Sequence, residues 1–211
     1  AARDHESDGM LHHLWAKALA IEDAQKNRAV LVTTDLLGFP KDLSDRIRDR
    51  ISQKFGLERS QIILNSSHTH CGPVLGEALS DIYPLDHPQI KKIRRYTDGL
   101  EDQIVSLVGA SLQAMQPATL SSGNGVARFQ VNRRNNDAAT LLQTSDLQGP
   151  NDYAVPVIKV QDQSGKLLAV AFGYTPMFCR PYRAQTTGNV VRSIGYVRQN
   201  FWPRVAAQVA R

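Results

Sequence analysis

Apolar positions along this chain switch between strand-like and helix-like periods. Leu14 to Ile21 alternates in part, and Ala29 to Thr33 is apolar and β-branched, which predicts two strands. Asp35-Leu36-Leu37-Gly38-Phe39-Pro40 then leads into a helix whose apolar positions Leu43, Ile47, Ile51 and Phe55 recur every four residues, with Gly56 as its stop. Ile62-Ile63-Leu64 predicts a short buried strand that delivers Ser66-Ser67-His68-Thr69-His70 to a strand end. A long helix is predicted from about Pro88 to Met115, with Ile90, Ile93, Leu100, Ile104, Val108 and Leu112 inward and Pro117 beyond its end. Ala118 to Arg128, Val155 to Gln161 and Leu167 to Phe172 read as strands, the last two joined by a turn at Asp162-Gln163-Ser164-Gly165. This interleaving predicts an α/β fold, a mixed β-sheet flanked by helices.

Composition refines the picture in one place. The whole chain holds 25 basic and 20 acidic residues, but Thr175 to Arg211 contains six arginines and no lysine, aspartate or glutamate. Setting those six aside leaves 19 basic against 20 acidic residues, so the basic character belongs to the tail. The sequence therefore divides into a body, residues 1–174, and a basic tail of atypical composition, residues 175–211. Two readings fit the tail: a basic surface segment, or a change of reading frame beyond about Gly173. Six cations without one acid oppose compaction.

Other classes are excluded more simply. No apolar run approaches the ~20 residues of a membrane span. The opening Ala1-Ala2-Arg3-Asp4-His5-Glu6 has no leader-like apolar stretch, which fits a cytoplasmic chain or one already processed. Cys71 and Cys179 make neither a disulfide framework nor a CxxC site. Lys91-Lys92 and Arg94-Arg95 resemble a nucleic-acid patch, but their helix has an apolar opposite side, and a solvated face explains them.

The strongest local chemistry is Ser67-His68-Thr69-His70-Cys71-Gly72-Pro73. In an extended chain residues i and i+2 share a face, so His68 and His70 would project together. Neutral imidazoles on one face suit Zn²⁺, while a hydrogen-bonded structural pair would use the same residues. Asp35, at a predicted strand end, could orient a histidine or cap the next turn.

Here the chain resembles the neutral/alkaline non-lysosomal ceramidases, whose T/S-HTHSGP motif is similar to SSHTHCGP. Gly9-Met10-Leu11-His12-His13-Leu14-Trp15-Ala16-Lys17-Ala18-Leu19, the step into Asp35-Leu36, Val131-Asn132-Arg133-Arg134-Asn135, and Gly149-Pro150-Asn151-Asp152 with Val155-Pro156-Val157 resemble further family segments in the same order. The likeness covers about residues 3 to 174 and implies a mixed α/β domain that hydrolyses the amide of N-acyl sphingoid or related lipids with one zinc ion. It implies His68 as a zinc ligand, His70 as a second histidine of the same site, and Arg133 as a cation near the scissile amide. Against the family pattern, Leu11 replaces a histidine (His12 and His13 follow at once) and Cys71 replaces a serine. No histidine follows His87 and no glutamate follows Glu101, so the later histidine, glutamate and tyrosine ligands that the resemblance implies cannot all be supplied by this sequence, and the segment of its nucleophilic serine is also absent.

The leading expectation is a ceramidase-like zinc amidohydrolase, represented by an incomplete or frame-disrupted chain without activity of its own. A non-catalytic binding module on the same fold, and phosphate-driven nucleic-acid association through the arginine tail, are the competitors. If the tail packs poorly, trypsin should cleave its arginines rapidly and leave a core ending near Tyr174. A tail as resistant as the core would contradict this.

Overall fold

The computed structural model describes residues 5–76, 78, 83, 85–128, 131, 132, 134–137 and 147–173. The boundary expected at residue 174, and the tail beyond it, lie outside these residues. The described residues belong to two compact units, one up to Met115 and one from Gln116 onward.

In the first unit β1 (Ala16–Glu22) and β2 (Arg28–Thr34) form an antiparallel hairpin. Asp23 closes it: one carboxylate oxygen accepts from the backbone of Gln25 and Asn27, the other from the Asn27 side chain. The chain then crosses through α1 (Lys41–Phe55) to β3 (Ile62–Ser66), which pairs with β2 in parallel. A parallel pair requires such a crossover, and α1 supplies it. The helix stops where the sequence predicts, with Gly56 at φ 68° and its N–H bonded to the Ser52 carbonyl. The longer helix α2 (His87–Gln113) starts at a reciprocal cap between Asp86 and Gln89, with Pro88 in its first turn.

The α/β expectation holds. Val30 and Val32 are fully buried and share one core with Leu43, Ile47 and Ile51 of α1 and Leu100, Ile104 and Val108 of α2. The expected full burial of Ile62-Ile63-Leu64 does not hold. β3 ends the order β1-β2-β3, so among the described residues only one side of it is paired, and Ile63 is 53% exposed.

Two features of the helix pair carry no periodic signal. Glu101 lies on the buried side of α2 yet is charged. Its carboxylate accepts from Arg46 Nε at 3.0 Å and Arg50 Nη1 at 2.9 Å, both on α1. These bonds to Glu101 raise the pKa of both guanidinium groups. Gly109 is the second feature: a Cβ there would stand 2.8 Å from Phe55 Cζ, so the missing side chain admits the ring. Lys91, Arg94 and Arg95 of α2 are exposed.

The second unit contains an antiparallel sheet of β4 (Thr119–Val126), β5 (Ala154–Gln161) and β6 (Leu167–Phe172). Among the described residues the strands thus occupy two three-stranded sheets, one mixed and one antiparallel. The β5–β6 turn is the expected one. Asp162 Oδ1 accepts from the backbone of Ser164 and Lys166 and from the Ser164 hydroxyl, while Gly165 takes φ 84°. The Ser164 hydroxyl bond is the largest cause holding the Asp162 carboxyl below its usual range.

Glu101→Gln should lower stability by about 1–2 kcal/mol in chemical denaturation. That is less than a fully buried pair would lose, because both arginines are partly solvated. Asp102→Asn, whose pair with Arg50 is exposed at both ends, should cost no more than about 0.5 kcal/mol.

Candidate functional site

Because β2 and β3 run in parallel, the chain leaves both at the same edge of the sheet. The two exits stay bonded beyond the strands. Ser67 N–H donates to the Thr34 carbonyl at 2.9 Å, and Thr69 N–H donates to the Leu36 carbonyl at 3.1 Å. Thr34 Oγ1 and Ser66 Oγ lie 3.0 Å apart across the strand ends.

His68 and His70 follow β3 directly and come together, with ring centroids 5.0 Å apart and planes at 69°. Strand alternation is not what pairs them. His68 has φ 56°, in the left-handed region that costs a residue with a Cβ roughly 1–2 kcal/mol. Part of the compensation is on its side chain, where Nδ1 lies 2.7 Å from the Leu37 carbonyl oxygen. A carbonyl only accepts, so Nδ1 carries a proton, and in the neutral ring the lone pair is then on Nε2. Metal-binding imidazoles are commonly fixed through their other nitrogen in this way. Both rings are partly buried.

The turn after the pair is equally constrained. Thr69 Oγ1 accepts from Cys71 N–H. At Gly72 a Cβ would lie 3.3 Å from the Asp35 carbonyl oxygen and 3.5 Å from Leu14 Cδ1, so a small residue suits the contact. Farther on, Gly76 N–H donates to Thr97 Oγ1, which donates to the Ile93 carbonyl and roots the loop on α2. Thr97, absent from the predicted inner face, is 3% exposed.

Cys71 is a free, exposed thiol. His12 and His13 are exposed, Leu11 is 90% exposed, and His87 opens α2 at the surface. Among the described residues no three histidine, cysteine, aspartate or glutamate side chains are placed to share a metal ion.

Arg133 lies outside the described residues. Its neighbours, however, belong to a hydrogen-bonded knot in the second unit. Asn132, 5% exposed, donates from Nδ2 to the Pro150 carbonyl and accepts Arg134 N–H on Oδ1. Asn136 donates to the carbonyls of Asn132 and Gln148 and accepts Gln148 N–H. Two segments noted separately in the sequence, Val131–Asn135 and Gly149–Asp152, are therefore bonded to each other. Gly149 makes this possible: it takes φ 88°, and a Cβ would fall 2.5 Å from Asn135 Oδ1.

Residues 1–172 match the N-terminal part of the neutral/alkaline non-lysosomal ceramidase family. The chain belongs to this family. Two solved structures share its fold. A ceramidase complexed with C2 superposes with a TM-score of 0.58 at 24% identity, over 76% of this chain and 25% of its own length. Neutral ceramidase from Pseudomonas aeruginosa gives 0.57 at 24% identity, over 76% and 26%. The chain thus spans about a quarter of the ceramidase structures it matches. No curated protein matches it.

For this ceramidase-family chain, Gly149→Ala should cost more than about 1 kcal/mol, because positive φ and the Asn135 clash act together. Gly165→Ala also places a Cβ at positive φ but meets no atom within 4 Å, so it should cost less. Comparing the two melting curves checks the ranking.

Proposed function

We propose that this chain carries the first part of the reaction centre of a zinc-dependent amide hydrolase acting on N-acyl sphingoid or related lipid amides. The supporting observation is the 2.7 Å contact of His68 Nδ1 with the Leu37 carbonyl, which leaves Nε2 as a ready metal donor beside His70. In this reading His68 is a zinc ligand, and His70 moves a proton at the reacting amide, which an imidazole near neutral pH can do. Arg133 stabilises negative charge developing on the carbonyl oxygen.

The donor set bounds the proposal. A catalytic zinc takes three protein ligands and an open position, and the described residues fit only part of such a set. Bound zinc would polarise the amide and acidify a water molecule. Family membership supports the hydrolase class. The substrate is the family's, extended to a chain that spans a quarter of the solved ceramidases.

The isolated 211-residue chain should therefore show no turnover of N-acyl sphingoid substrates, even with zinc added. It should bind zinc weakly, and His68→Ala should reduce the affinity by more than the roughly 10–100-fold typical of losing an outer hydrogen-bond partner. Zinc-dependent turnover abolished by His68→Ala would overturn the expected inactivity. Zinc affinity indifferent to that substitution would remove His68 from the ligand set and favour a binding module.

A further inference from the structure

The His68 turn has no regular strand beneath it. Three of its bonds, from Ser67 N–H, Thr69 N–H and His68 Nδ1, go to the carbonyls of Thr34, Leu36 and Leu37. Only Thr34 belongs to β2; the other two follow it. The orientation of the imidazole thus depends on the backbone from Thr34 to Leu37, so what fixes those residues helps to fix the histidine.

Asp35 sits in the middle of that stretch and is 7% exposed. Its N–H donates to the Trp15 carbonyl at 2.9 Å, continuing the β1–β2 ladder by one residue. Its carboxylate then turns back, and Oδ2 accepts the Trp15 N–H at 3.0 Å. Backbone and side chain thus grip the same residue of the neighbouring segment. On its other side the Asp35 carbonyl lies against Gly72, at the end of the histidine turn. A charge-assisted bond to a backbone N–H is among the stronger single hydrogen bonds a protein makes, and burial strengthens it further.

We propose that Asp35 is a positioning residue. By holding Trp15 N–H it fixes the Thr34–Leu37 carbonyls, and through the Leu37 carbonyl it sets the Nδ1–H tautomer of His68. It acts through the backbone and touches no substrate. The inference rests on the proposed function only for its use, since the tautomer is set whether or not zinc binds.

The experiment is a long-range ¹H–¹⁵N spectrum of the imidazoles in the full, metal-free chain. The wild-type chain should show His68 as the Nδ1–H tautomer. Asp35→Asn, whose amide oxygen can still accept from Trp15, should keep it. Asp35→Ala should give a mixture in which Nε2–H predominates. A purely structural role for Asp35 would lower the melting temperature of Asp35→Ala while leaving the tautomer unchanged, and that result in a folded protein overturns the proposal. Loss of the Nδ1–H signature in folded Asp35→Asn overturns it as well. Should Asp35→Ala not fold, Trp15→Pro removes the donated N–H and leaves the carboxylate in place. Its tautomer must then be mixed, and an unchanged Nδ1–H signal refutes the idea.

Discussion

Parallel pairing of β2 with β3 is the constraint on which the rest of the first unit depends. Two parallel neighbours cannot be joined by a turn, so α1 must cross over the sheet, and its Leu43, Ile47 and Ile51 stripe makes that crossing favourable by burying against Val30 and Val32. The same pairing sends both chain exits to one edge. In open α/β sheets functional residues gather at the carboxyl ends of parallel strands, and His68 and His70 stand there.

Much of this was legible in the sequence because apolar periodicity is a local property that burial later enforces. Both helices, the Gly56 stop and the Asp162 hairpin follow directly from it. The chemistry was legible only in part. The His68-Thr69-His70 pair is visible as letters, but the left-handed turn that joins the rings depends on a carbonyl thirty-one residues earlier, and no local pattern encodes that. Glu101 was hidden for a related reason. A glutamate on an inward helix position reads as an interruption until Arg46 and Arg50 arrive from another helix. Asn132 and Pro150 likewise meet only through the fold.

The contrast between the units follows from what each has to bury. The first unit has helix stripes to cover its sheet, and among the described residues the fifteen buried apolar side chains comprise fourteen from the first unit and Val160 from the second. In the second unit, polar side chains hold the loops. The amides of Asn132 and Asn136 pair with backbone donors and acceptors of Pro150, Arg134, Asn132 and Gln148, a local way to order irregular chain.

The Asp162 turn bears on the order in which the second sheet assembles. β5 and β6 are adjacent in sequence, and the turn between them is held by bonds that need nothing outside it. Hairpins of this kind close in roughly 1–10 μs. β4, by contrast, pairs with β5 across a much longer stretch of sequence, a closure with a higher entropic cost. Loop closure therefore favours the register of the β5–β6 pair forming first, with β4, whose residues are mostly small and polar, added to that template.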